Sequence, residues 1–575
     1  MLKRLFTYLK PYRRATILAV ACIWLETIFE LVIPMIMADI IDVGVPNGDK
    51  ALIFSRGVLM IVCALISMVF GAGSARYSAL CGQGLGAELR KAEYEKLQSF
   101  SFSNIDHFRT SSLVTRLTSD VTAIQNSVST GMRPGCRAPF MMISALIMSF
   151  SMNWKLALIF CVASPILGIL LFFIIKNVRP LYGIMQGAVD TLNRIVQENL
   201  TAIRVVKAYV RKDYETAKFE EANLELKDAS QRSFGLAALN MPAMQLVMYA
   251  TILCILWIGG RLIQGGSMQV GELTGFLSYV LLVLNSLMMI SNVFMMLTRS
   301  LASCRRIVEV LDEPVDMTDD DARDIQVTSG AVQFDHVYFK YQESAPEYVL
   351  SDITLSIKAG QTVGILGGTG SAKSTLVQLI PRLYDITSGS LTIDGHSVRE
   401  YPMEHLRDAV GMVLQKNTLF SGTITDNLRW GKEDASKEEI EEACAVACVD
   451  EFIGNLPHGY ETELGQGGAG LSGGQKQRLC IARALLRHPK ILILDDSTSA
   501  VDTATEARIR EGLSTYLKGT TKIIIAQRIT SVMHADQIVI LDRGHIQAVG
   551  THESLLKDNF IYQELYHSQQ EGVGL

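Results

Sequence analysis

Charge is scarce in this chain. Asp, Glu, Lys and Arg make up 19% of 575 residues and leave a net −5. No basic tail or basic run is present to replace the counterions of a phosphate backbone, so a nucleic-acid partner is excluded. The ten cysteines show neither metal-site nor disulfide-framework spacing. Cys444 and Cys448 stand four apart on a predicted helix with no histidine or second pair beside them, and read as buried small residues. Reduced thiols suit domains that face the cytosol. Residues 1–14, MLKRLFTYLKPYRR, are too polar for a cleavable signal peptide and read as a short amphipathic helix at a membrane surface.

What the chain has in quantity is apolar side chain, 49% of residues, and it is unevenly spread. The length exceeds one ordinary core, so at least two domains are expected. A bilayer core takes about 20 apolar residues per helix. Six stretches qualify, roughly 15–38, 54–75, 136–153, 155–176, 243–263 and 273–297. Pro34, Pro139 and Pro165 fall inside them, which membrane helices tolerate. Asn153-Trp154 leaves room only for a tight hairpin between the third and fourth.

Basic residues decide the orientation. Lys3, Arg4, Lys10, Arg13 and Arg14 precede the first span. Arg90, Lys91, Lys96, Arg109 and Arg116 follow the second, and Arg204, Lys207, Arg211 and Lys212 follow the fourth. The opposite loops hold little beyond Lys50, Lys155 and Arg261. Both termini are therefore expected in the cytosol. Segments 76–132 and 177–240 mix apolar and charged residues at helical spacing, which predicts long helices protruding from the bilayer. Each has a place to turn, SFSNIDHF (101–108) and VRKDYETAKF (210–219).

The reading divides the chain into an all-α transmembrane domain over 1–310, an acidic linker over 311–325 and an α/β domain over 326–575. The linker carries DEPVDMTDDDARD (312–324). Beyond it, QTVGILGG (361–368), KILILDD (490–496), TKIIIAQ (521–527) and DQIVILD (536–542) read as buried parallel strands.

GGTGSAKST (367–375) follows one of these strands and precedes a helix. In that context backbone N–H groups and a helix N-terminus surround phosphate oxygens, a P-loop. Gly367, Gly370, Ser371, Ala372, Lys373, Ser374 and Thr375 are the nucleotide-binding candidates. Lys373 would neutralise the β- and γ-phosphates and Ser374 would bind Mg2+. Ala372 stands where a glycine is expected. Its methyl crowds the loop if φ must be positive and is harmless if the position is already helical; the surrounding fit favours the harmless case.

With LSGGQKQR (471–478) and ILILDD (491–496), the P-loop resembles those of the ATP-binding cassette (ABC) ATPases, and the six spans resemble an exporter half-transporter. The likeness covers nearly the whole chain, including ENLTAIRVVKAYVRKDYE (198–215), LFSGTITDNL (419–428) and GTHESLL (550–556). It implies ATP and Mg2+ as cofactors and a bacterial cytoplasmic membrane as location. Tyr341 would stack on adenine. Gln415 would touch Mg2+ and report to the membrane helices, and Asp495 would hold the metal. Ser472, Gly473, Gly474 and Gln475 would close on the γ-phosphate held by a second copy of the domain, with Asp502 at that seam. One cassette per chain then requires a dimer.

Three positions depart from the family pattern. Asp496 stands where a glutamate activates water, Gln527 where a histidine contacts the γ-phosphate, and Gln466 where exporters usually carry a glutamate. Shortening the acid withdraws its carboxylate by roughly 1.5 Å, and a misplacement of about 1 Å costs on the order of 10²-fold. The combination resembles the degenerate subunit of a heterodimeric exporter, whose competent site would use a non-identical partner's P-loop and this chain's Ser472–Gln475. A homodimeric exporter is the alternative, as is an ATP-gated regulatory or channel-like membrane protein. An importer fits less well, because spans and cassette are fused.

The cargo is poorly encoded. Hydrophobic drugs, lipids or peptides are the expected classes. Glu26 and Glu30 share one face of span one, and carboxylates inside a membrane are costly enough to be functional candidates. They read equally as a binding site for cationic amphiphiles or as a hydrogen-bonded helix contact.

Overall fold

The computed structural model describes residues 2–571. The chain forms two compact units. One takes the chain up to Leu97 together with Ser111–Asp312, and the other takes Gln98–Thr110 and the described part of Glu313–Leu575.

The first unit is helical, and among the described residues six helical stretches are long and apolar enough to cross a bilayer. Lys50–Gln98 has 49 residues, which at about 1.5 Å per residue is roughly 73 Å. A hydrocarbon core is about 30 Å thick, so more than half of this helix is extension. Trp154–Thr201 and Val270–Asp312, with 48 and 43 residues, extend in the same way. Phe54 and Met68 on Lys50–Gln98, and Trp257 on Asn240–Gln264, are well exposed, as side chains facing lipid must be. The predicted hairpin is present. Asn153 leaves the helical region at φ −155°, and its side chain accepts from the N–H groups of Lys155 and Leu156, capping the next helix.

The start of the chain is helical and two-faced, as expected. Leu2–Leu5 is α-helical and Phe6–Tyr12 tightens to 3-10. Leu5 is buried among Leu85, Leu89, Val121, Ile307 and Leu311. The apolar face thus covers the helix extensions.

The second unit is built on a six-stranded sheet. Its spatial order is His545–Gly550, Gln537–Asp542, Thr362–Leu366, Thr521–Ile525, Ile491–Asp495 and Val410–Val413. All neighbours are parallel except the first pair. The central strands bury both faces, which is why they are continuous runs of Ile, Leu and Val. Register aligns Ile525 with both Ile365 and Asp495. The segments after these strands, which open at Gly367, Asp496 and Ala526, therefore leave the sheet at one edge. In parallel sheets that edge is where ligands bind.

Gln98–Thr110 belongs to this second unit. The predicted first turn is a helix, Phe102–His107, begun by a Ser101–Asn104 capping box. Asn104 donates to the Pro314 carbonyl at 2.9 Å, and Asp106 accepts from the Tyr384 hydroxyl at 2.6 Å. The rings of Phe102 and Tyr384 lie 6.0 Å apart. The second turn falls at the leading edge of the predicted 210–219 stretch, just ahead of Lys212–Tyr214. A short helix, Ile203–Ala208, ends there, Val210 takes φ +54°, and Lys212 already opens the next long helix. Tyr209, Val210 and Tyr214 are strongly exposed.

Candidate nucleotide site

The P-loop turns on residues in the left-handed region. Gly370 has φ +81° and Ala372 has φ +71°. A Cβ at Gly367 would lie 2.1 Å from the Leu541 carbonyl oxygen, so that glycine is required for close approach. The Lys373 ammonium donates to the carbonyls of Gly367 and Gly368 at 2.8 and 2.7 Å and to the Ser371 hydroxyl at 3.2 Å. Burial lowers its pKa. A cation already turned onto its own loop is poised to exchange those carbonyls for phosphate oxygens.

Ala372 corrects the harmless reading. It precedes the Lys373–Gln378 helix in αL geometry rather than helical geometry. A non-glycine residue pays about 1–2 kcal/mol there. Ala372→Gly removes that cost but gives back chain entropy of about 0.4–1 kcal/mol. The expected result is a net stabilisation of about 0.5–1 kcal/mol, read as a higher thermal midpoint of the nucleotide-free protein.

The Ser374 hydroxyl donates to Asp495 Oδ1 at 2.9 Å, which brings together two of the three predicted Mg2+ residues. The third, Gln415, lies two residues beyond the strand paired to Ile491–Asp495 and is exposed. Among the described residues no group of three or more His, Cys, Asp or Glu is positioned to hold a metal. A hydroxyl and one carboxylate suit Mg2+, which takes most of its oxygens from phosphate and water. Cys444 and Cys448 are buried free thiols.

The two substituted positions meet. Asp496 takes φ +48°, a region that Asp enters more readily than most residues. The Gln527 amide donates to Asp496 Oδ2 at 2.9 Å. Burial raises the pKa of Asp496, against the opposing Gln527 bond, and raises that of its neighbour Asp495. The carboxylate expected to activate water is thus held by the side chain that stands in the histidine position.

Tyr341 is exposed, with its hydroxyl end held. Its hydroxyl is 2.9 Å from that of Thr375, and its ring packs edge-on to Tyr384 at 5.0 Å. Ser472 caps the Gly473–Leu485 helix in a capping box with Gln475 and remains exposed. Asp502 caps Thr503–Tyr516 through the Thr505 N–H, which lowers its pKa. Gln466 is exposed between Leu464, which ends the short Glu463–Leu464 strand, and the left-handed pair Gly467–Gly468.

In the membrane unit, Glu26 is buried and Glu30 half-buried. Two arginines that the sequence reading passed over meet them. Glu26 Oε1 is 2.6 Å from Arg133 and 2.8 Å from Arg137, and Arg137 also pairs with Glu30. Ser74 donates to Glu26 Oε2 at 3.4 Å. The signal was available: Arg133 and Arg137 stand four apart, on one face at the start of span three.

Residues 16–287 match the ABC transporter transmembrane region family and residues 350–499 the ABC transporter family. YfiB of Bacillus subtilis, an uncharacterized ABC transporter ATP-binding protein, is 41% identical over 99% of this chain and 98% of its own length. The ATP-dependent lipid A-core flippase of Syntrophus aciditrophicus is 34% identical over 85% of this chain and 81% of its own. A solved bacterial Atm1-family ABC exporter with ATP bound superimposes with a TM-score of 0.83 at 25% identity, over 97% of this chain and 99% of that one.

Proposed function

The chain belongs to the ABC transporter family, with transmembrane region and ATPase domain in one polypeptide, and on that premise we propose that it is the degenerate-site subunit of a heterodimeric exporter. ATP hydrolysis drives transport in this family, and its exporters act as dimers. In the proposed pair, the pocket around Lys373 binds ATP with Mg2+ at Ser374, Gln415 and Asp495, and hydrolyses it slowly. The fast site consists of the partner's P-loop and water-activating acid, closed by Ser472–Gln475 of this chain.

The observation that carries this reading is the bond from Gln527 to Asp496. Each replacement alone weakens water activation. Together they satisfy one another, so the carboxylate has no histidine to work with and is engaged by an amide that cannot become cationic near neutral pH. The signature residues, by contrast, are intact and Ser472 faces solvent.

Closure of two cassettes on ATP moves the Phe102–His107 helix, which is seated on Tyr384 and Pro314, and the exposed turn at Tyr209–Arg211. Those motions switch the membrane helices between inward and outward access. Hydrophobic drugs, lipids or peptides are the proposed cargo, lipid being the class named for the Syntrophus relative.

The test is purification with and without a candidate second half-transporter. The chain alone is expected to bind ATP and turn it over slowly. The pair is expected to show vanadate-sensitive uphill transport in vesicles. Fast turnover by the chain alone identifies a homodimer, and ATP-gated flux that never runs uphill identifies a channel-like protein.

A further inference from the structure

The sheet stops supporting the Gln527 segment early. The last bond is from the Ala526 N–H to the Ile365 carbonyl at 3.3 Å. The next two anchors come from the far end of the chain. The Gln569 side chain donates through Nε2 to the Gln527 carbonyl at 2.8 Å, and its Oε1 accepts from the Ile529 N–H at 2.9 Å. One primary amide thus pairs with the backbone on both sides of Arg528, much as a neighbouring strand would.

Gln569 lies on the last described helix, Phe560–Glu571. Seven residues earlier on the same face is Tyr562, fully buried, with its hydroxyl 2.6 Å from His552 Nδ1. Leu565 and Tyr566 pack on the cluster that includes Ala526, Ile529 and Val532. Gln563 ties the helix start to the Leu556 carbonyl at 2.8 Å. The helix is therefore fixed at one end, and its last turn meets the loop that aims the Gln527 amide.

We infer that Gln569 is a positioning residue through which the C-terminal helix sets the Gln527 side chain against the terminal phosphate of bound ATP. This rests on the nucleotide reading above, in which Gln527 occupies the γ-phosphate position. Its consequence is specific. ADP has no terminal phosphate for Gln527 to meet, so the helix governs the preference for ATP over ADP and leaves general nucleotide affinity alone. A segment far from the P-loop in sequence then tunes how long this pocket holds its ATP.

The experiment measures binding of fluorescent MANT-ATP and MANT-ADP to the full-length chain in lipid nanodiscs. Gln569→Ala is expected to weaken ATP roughly fivefold, what one net hydrogen bond is worth, with ADP unchanged. Adding Gln569→Ala to Gln527→Ala is expected to cost nothing further, because the two act as one unit. Gln569→Glu supplies a readout that a merely stabilising contact lacks. The protonated acid keeps both a donor and an acceptor, whereas the carboxylate turns a charge toward the Gln527 carbonyl. A carboxylate aimed at a carbonyl oxygen has its pKa raised above the ordinary value of about 4.3, so ATP affinity of that variant, relative to wild type at the same pH, is expected to improve as pH falls from 8 to about 5. Equal losses for ATP and ADP, or no change for either, would overturn the inference. If wild type binds neither nucleotide, the reading of the pocket falls and takes the inference with it.

Discussion

Asp496→Glu combined with Gln527→His is expected to raise ATP turnover at this chain's own pocket by about 10²-fold. The general base contributes about 10²–10⁴ in rate when it reaches its water. One added carbon restores roughly 1.5 Å of reach. Both changes are needed because the present pair is self-satisfied, with Gln527 donating to Asp496 at 2.9 Å. A lengthened acid alone would still face an amide, and its φ of +48° suits Glu less well than Asp, so the single Asp496→Glu variant is expected to gain less. The assay is steady-state ATPase in the assembled dimer, with the partner's acid replaced by Gln so that only this pocket is read. Unchanged turnover in the double variant would mean that another feature, with Ala372 the first to test, disables the pocket.

Arg137→Met is expected to be the most damaging single change in the membrane unit, at about 3–5 kcal/mol, the usual consequence of removing one partner from a buried ion pair. Arg137 is the shared cation: it lies 2.8 Å from Glu26 and also pairs with Glu30, and the Glu26 side chain is only 5% exposed. Without it, Arg133 alone faces Glu26 and nothing in the cluster neutralises Glu30. Adding Glu30→Gln to Arg137→Met restores charge balance and is expected to recover most of the loss. Thermal midpoint and monodispersity in detergent measure both variants. A well-folded Arg137→Met would show that the cluster is open to water and not structural. Glu30→Gln alone separates the two readings of these acids. Lost export of a cationic dye at unchanged midpoint would place Glu30 in the cargo path, and a shifted midpoint with normal export would make it a helix contact.

The features legible in the sequence were those written in runs and motifs. Apolar stretches longer than about 20 residues gave six helices, and unbroken Ile/Leu/Val strands gave the parallel sheet. LSGGQ and the P-loop placed the chain in its family. What escaped depends on backbone angle or on distance through space. Whether Ala372 is helical or left-handed is invisible in GSAKST. The second turn bends at the first residue of its motif, where Val210, an improbable residue for positive φ, takes +54°. Arg133 and Arg137 sit at the start of span three, where a basic residue also reads as an interfacial anchor, so nothing in the run of residues announces their pairing with Glu26 and Glu30. The contact of Gln527 with Asp496 joins positions 31 apart, and the bracket from Gln569 joins positions 42 apart. No local pattern announces either one.

The central claim is that this chain's pocket holds ATP while its signature helix works for a neighbour, and one comparison tests it. In the assembled exporter, ATP turnover is measured for Asp496→Asn and for Gly473→Asp. A side chain at Gly473 meets nothing nearer than the Ala500 Cβ at 3.7 Å, so the variant is expected to fold and to oppose the partner-bound γ-phosphate with a negative charge. The account predicts near-normal turnover for Asp496→Asn and near-complete loss for Gly473→Asp. Loss in Asp496→Asn with turnover preserved in Gly473→Asp would contradict it.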